Sequence, residues 1–133
     1  MNLLLDTCTF LWALHDPARL SAPARKALQA PAHTVHVSVI TFWEISLKAG
    51  LGKLSFRGVT PEEYPGLAVE AGWMIHPLAA SLAASAGRLR RTPEHRDPFD
   101  RLLIWSAINE NFVLVSGDEA LPDYVSQGLS ICW

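Results

Sequence analysis

Two short apolar runs, each followed by an aspartate, constrain the fold more than any other feature of the chain. Asn2–Leu5 runs into Asp6, and Phe112–Val115 is followed by Ser116, Gly117 and Asp118. Runs this short are strand-sized, and their unbroken apolar character fits strands buried on both faces, as in parallel sheets. Further strand candidates lie at Thr34–Val39, Trp73–Pro77 and Leu129–Cys132, the last expected at a sheet edge. Helical segments separate them, and such alternation gives an α/β fold: a parallel sheet with helices on both faces. In such sheets ligands bind beyond the carboxyl ends of the strands, where Asp6 and Asp118 fall.

The helical segments carry their own end signals. Thr7–His15 presents Phe10, Leu11 and Leu14 on one side, with Asp6 or Thr7 as cap and Pro17 beyond its end. Ser21 caps the next helix, where Pro23 is tolerated in the first turn. Thr60 and Glu63 have capping-box spacing, and Ala79–Leu89 is alanine-rich and expected to be one helix. Ile40–Gly50, closed by Gly50 or Gly52, places Ile40, Trp43, Leu47 and Leu51 in one apolar stripe. Asp97–Asn111 begins with an aspartate cap and a proline at the first helical position.

Two of these helices hold an acid in the wrong place. Glu44 lies inside the stripe of Ile40 and Leu47, and Asp100 lies on the face of Leu103, Ile104 and Ala107. Burying an unpaired polar group costs about 2–7 kcal/mol, and an ionised one more, unless something offsets it. Each acid taken singly has an ordinary reading. Asp6 caps a helix, Glu44 pairs with Lys48 one turn on, Asp97 caps its helix, and Asp118 closes an Asx-turn. Together, Asp6, Glu44, Asp100 and Asp118 converge on one edge of the sheet and repel unless neutralised. Hard oxygen ligands in this number suit Mg2+ or Mn2+, which retain waters and leave room for a phosphate. Such ions activate water for phosphodiester cleavage.

Bulk properties narrow the field. The formal net charge is −2 and the pI about 6.2, which disfavours holding nucleic acid by bulk positive charge. Arg88, Arg90, Arg91 and Arg96 nevertheless cluster just before Asp97, a candidate phosphate contact. Cys8 and Cys132 lack any zinc spacing and are expected as free thiols in a reducing cytoplasm. No apolar run approaches the ~18 residues that span a membrane, and MNLLLD lacks the basic region and cleavage site of a signal peptide. No P-loop, GxGxxG or serine-triad pattern points to other chemistry. The chain, 1–133, has the length of a single domain.

The segments LLLDTCTFLWAL, SVITFWEISLKAGLGKL, HRDPFDRLLIWSA and LVSGDEAL occur in this order and span nearly the whole chain. In these it resembles PIN-domain ribonucleases of the VapC toxin type. The resemblance implies a three-layer α/β/α sandwich with a central parallel sheet of about four to five strands. It implies a cytoplasmic, Mg2+- or Mn2+-dependent endoribonuclease that cuts tRNA or rRNA and inhibits translation. A VapB-type antitoxin and a homodimer are implied as well. Apolar residues on the helices after Thr7 and after Ser38 would suit either interface. The acidic quartet falls on Asp6, Glu44, Asp100 and Asp118. Asp6 and Asp100 would hold the main ion; Asp118 and Glu44 would complete the site, with Glu44 orienting the attacking water.

Asp97 reads as a cap first and as an acid facing the substrate or the ion's waters second. Thr7 and Ser116 stand where the family often places a hydroxyl near the ion, and Arg96 or Arg101 would hold the RNA backbone. Cys8 occupies a position where His or Asn is common. Three rival readings differ in class. A receiver-type signalling domain needs an acid ending the third strand and a late lysine, and neither is present. A DNA nuclease of the same fold needs insertions this chain is too short to hold. A catalytically silent binding module would keep the fold without cleavage.

Overall fold

The computed structural model describes residues 1–56, 58–93 and 97–133. Its centre is a five-stranded, all-parallel sheet in the order β3-β2-β1-β4-β5. The strands are β1 (Asn2–Leu5), β2 (Thr34–Ser38), β3 (Met74–His76), β4 (Val113–Val115) and β5 (Ser130–Cys132). Helices α1 (Thr7–His15), α2 (Ala22–Gln29), α3 (Val39–Gly50), α4 (Tyr64–Glu70), α5 (Ala80–Ser85) and α6 (Pro98–Asn109) alternate with them. This is the expected three-layer α/β/α arrangement, and β5 is an edge strand as expected.

The strand pleat sorts the core into two layers. Leu3 and Leu5 point to one face with Val35, Val37 and Val115, where Phe10, Ile45, Tyr64 and Ala68 cover them. Leu4 and Leu114 point to the other face, under Leu103, Ile104, Ala107 and Tyr124. Strands buried on both sides read as continuous apolar runs, which is why LLL and VLV carry no polar interruption. β1 lies in the middle, and chain order reverses between β1 and β4. That makes the β1/β4 edge the switch point of the sheet, where a crevice opens.

Two local expectations are corrected. Ala79–Leu89 is not one helix: α5 stops at Ser85 and a 3-10 turn, Ala86–Arg88, follows. The Ser85 hydroxyl donates back to the Ser81 carbonyl at 2.7 Å, and Gly87 follows. Back-bonding serines and glycine both weaken a helix end. The apolar stripe of α3 is also misassigned. Trp43, Leu47 and Leu51 are 59, 36 and 60% exposed, whereas Ile40, Thr41, Glu44 and Ile45 are buried. The helix turns its Thr41/Glu44 side inward because both side chains find partners there, described below. On α1 the corresponding apolar residues Phe10 and Leu11 are buried in the core, so an exposed apolar surface remains on α3.

This orientation of α3 is testable by chemical denaturation. Ile45→Ala is expected to lower the unfolding free energy by about 2–5 kcal/mol. Leu51→Ser is expected to change it by no more than about 0.5 kcal/mol. Equal losses at the two positions would reverse the assignment of the buried face.

Candidate metal centre

Asp6 follows β1 directly and caps α1: its Oδ1 accepts the Thr9 N–H at 2.7 Å. Its other oxygen accepts a short hydrogen bond from the Ser116 hydroxyl, just beyond β4. Ser116 Oγ in turn accepts the Asp118 N–H at 3.2 Å. The Asp118 carboxylate turns its own loop by accepting the Ala120 N–H at 2.9 Å. The cap and Asx-turn readings of Asp6 and Asp118 are therefore both realised. Neither uses up the acid, since each carboxylate oxygen carries two acceptor sites. Burial raises the Asp6 pKa above its ordinary 3.8, opposed by the Ser116 and Thr9 hydrogen bonds and reinforced by the Asp118 charge.

A second system stands beside the first, linked through Thr7. The Thr7 hydroxyl donates to Glu44 Oε1 at 2.6 Å, and Thr41 Oγ1 lies 3.1 Å from Thr7 Oγ1. With the Thr7 proton committed to the carboxylate, the Thr41 hydroxyl is the donor in that second contact. Glu44 is only 3% exposed, and Lys48 forms an ion pair with its Oε2. Lys48 Nζ also lies 3.8 Å from Asp97 Oδ2. Asp97 caps α6 with its other oxygen, which accepts the Phe99 N–H at 2.8 Å and the Asp100 N–H at 3.2 Å. Asp100 sits in the first turn of that helix, where the positive end of the helix dipole favours a carboxylate.

One oxygen from each of Glu44, Asp97 and Asp100 lies within 4.8 Å of the others. Among the described residues these are the acids that meet at ligand spacing; Asp6 and Asp118 form the neighbouring Ser116-linked pair. Cys8 feels the charges of acids in both systems. Burial of its sulfur, then the charges of Asp6, Glu44 and Asp100, push its thiol up to about 11, although the residue as a whole is exposed. The residues that meet at ligand spacing are all carboxylates, a hard-oxygen donor set that fits Mg2+ or Mn2+.

Asp100 is half-buried and not sunk in the apolar face. It lies at the rim, next to Glu44 and Asp97. Asp97 belongs to the three-acid group as well as to the cap, a membership its position before Pro98 does not reveal. Lys48 does more than pair along its own helix, because it reaches across to α6. Arg101 donates to the Leu89 carbonyl at 2.7 Å and lies 3.4 Å from the Tyr124 hydroxyl. It also lines, with exposed Arg91, a cleft of about 630 Å³ beside Pro98 and Leu102. Arg88 and Arg90 are exposed, and Arg96 lies outside the described residues.

The PIN domain family profile matches residues 3–125. The chain belongs to that family. Solved structures are similar over almost the whole chain. VapBC2 from Rickettsia felis, solved with a DNA fragment from its promoter, is 20% identical, with a TM-score of 0.72 over 98% of this chain and 97% of that one. DNA-bound VapBC from Salmonella typhimurium is 17% identical, with a TM-score of 0.66 over 98 and 96%. VapBC-5 from Mycobacterium tuberculosis, described as a member of the VapBC family of toxin-antitoxin systems, is 16% identical, with a TM-score of 0.59 over 98 and 96%. At these identities the likeness is one of fold. The sequence matches none of the curated proteins compared with it. No helix among the described residues is long and apolar enough to cross a membrane.

In this PIN domain the need for glycine at position 117 comes from a close neighbour and not from backbone freedom. Its φ is not positive; instead the Trp133 ring packs so close that a Cβ on residue 117 would lie 2.5–2.8 Å from ring atoms. Gly117→Ala is therefore expected to cost about 1–3 kcal/mol of stability by overpacking. In a Trp133→Ala background the same change is expected to cost nearly nothing. Equal costs in both backgrounds, measured by urea unfolding, would remove Trp133 as the reason for glycine.

Proposed function

We propose that this PIN domain, read as one domain over 1–133, is a divalent-metal-dependent endoribonuclease. We further read it as the toxin half of a VapBC-type pair, acting in the cytoplasm on tRNA or rRNA and so stopping translation. The observation that supports the chemistry best is the meeting of Glu44, Asp97 and Asp100 within 4.8 Å beside the Ser116-bound Asp6. This lies toward the β1/β4 switch point of the PIN domain. The toxin and antitoxin roles draw on the VapBC complexes that share the fold. A VapB-type antitoxin and a homodimer are the partners this reading supplies, and the exposed Trp43 and Leu51 offer apolar surface for one of them.

Asp6 and Asp100 are the residues assigned to hold Mg2+ or Mn2+, with Asp118 and Glu44 completing the site directly or through water. When bound, such an ion neutralises the scissile phosphate and makes water a better nucleophile at neutral pH. The chain's own groups then have distinct tasks. Thr7 fixes the Glu44 carboxylate through Oε1, so Glu44 presents a fixed acceptor to a water proton. Ser116 fixes Asp6 in the same way and holds the Asp118 backbone, tying the two strand ends into one rigid edge. Asp97 stiffens the first turn of α6 and so sets where Asp100 stands. Arg101 and Arg91 flank the adjacent cleft, where a backbone phosphate of the RNA would find positive charge.

The test is cleavage of total RNA by purified, antitoxin-free protein with Mg2+ or Mn2+, read by mapping new 5′ ends. EDTA should abolish discrete cuts, and Asp100→Asn should slow them by about 100-fold or more. Single-stranded DNA should remain uncut. Full activity in EDTA or in Asp100→Asn would overturn the metal assignment. Metal binding without cleavage of RNA from several sources would leave the silent binding module as the better reading.

A further inference from the structure

We propose that Lys48 is the resident counter-ion of the acidic cluster, and that a divalent ion reaching Glu44 and Asp97 has to displace its ammonium. The inference rests on the metal reading above and adds to it a cation built into the chain. Glu44 and Asp97 divide their oxygens in the same way. One oxygen of each is committed to the fold: Glu44 Oε1 to the Thr7 hydroxyl, and Asp97 Oδ1 to the capping N–H groups of α6. The other oxygen of each faces Lys48: Glu44 Oε2 in the ion pair and Asp97 Oδ2 at 3.8 Å. Asp97 Oδ1 is filled by its two N–H groups and Glu44 Oε1 keeps one site beside the Thr7 hydroxyl, so an ion that uses both acids while they keep their structural bonds approaches Asp97 Oδ2, next to the ammonium that Glu44 Oε2 holds.

The lysine is suited to an exchangeable role. It sits one turn after Glu44 on α3, so its position follows from helix spacing, while Asp97 belongs to a different element. Its side chain is 35% exposed and ends in a flexible stem, so the ammonium can swing into water without disturbing the core. An arginine would hold the carboxylates in a fork and release them less readily. In the ion-free protein the ammonium lessens the repulsion among three acids held within 4.8 Å.

The experiment compares Mn2+ binding by the full chain and by Lys48→Met, Lys48→Gln and Lys48→Arg at fixed ionic strength. Free Mn2+ is read by electron paramagnetic resonance, and thermal melts are run with and without the ion. Lys48→Met and Lys48→Gln are expected to bind Mn2+ about tenfold more tightly than the unaltered chain, since a competing unit charge is gone. Their melting temperatures should be lower without metal and should rise further on adding it. Lys48→Arg should bind no more tightly than the unaltered chain. Circular dichroism confirms folding, and the glutamine variant serves if the methionine variant fails to fold. Equal Mn2+ affinity in the unaltered chain and the neutral variants, or weaker binding by the variants, would overturn the counter-ion role while leaving the metal centre standing. Absence of Mn2+ binding in every form would overturn both.

Discussion

Carboxylates held close together in a folded protein must be offset, and the upper part of this structure is arranged around that requirement. Two unit negative charges 4.8 Å apart repel by roughly 3–4 kcal/mol at an effective dielectric of about 20. Glu44, Asp97 and Asp100 form three such pairs. The chain answers with the Thr7 hydroxyl, the N-terminal turn of α6 and the Lys48 ammonium. Asp6 and Asp118 are answered separately, by Ser116 and by backbone N–H groups of the two strand-end loops. All of these groups lie at one edge because all five strands run in the same direction.

The sheet and the site are therefore one construction. Leu3, Leu4 and Leu5 alternate between the two apolar layers and pin β1 in the centre, which fixes where Asp6 emerges. Val115 pairs with Leu5, so Ser116 emerges next to it. Ser38 caps α3 directly after β2, and a turn and a half of helix then carries Glu44 back over the same edge. The buried side of α3 carries Thr41 and Glu44 for this purpose. That choice leaves Trp43 and Leu51 in solvent, apolar surface that an isolated domain has no use for.

Much of this was legible from residue pattern. Short apolar runs ending in Asp6 and before Asp118 located the strands and the productive edge. Pro98 after Asp97 and Ser21 before Ala22 located helix starts. The α3 stripe misled because periodicity ranks faces by hydrophobicity, whereas the buried face was selected by the partners of Thr41 and Glu44. The need for glycine at 117 escapes local pattern for a related reason: its neighbour is Trp133, distant in sequence and adjacent only across β4 and β5. The place of Asp97 in the acid group and the reach of Lys48 depend on how α3 and α6 pack, which no local spacing encodes. The break in the alanine-rich segment was available in Ser85 and Gly87 but was outweighed by alanine's helix propensity.

The central claim is that these acids form a cation site at the switch point. The most direct measurement is a crystal of the antitoxin-free chain soaked in Mn2+, with anomalous scattering recorded at the manganese edge. The expected result is an anomalous peak in coordination contact with Asp100 and Asp6, with Glu44 or Asp118 bound to it directly or through water. A well-ordered pocket without a peak at millimolar Mn2+, or a peak held only by other residues, would contradict it.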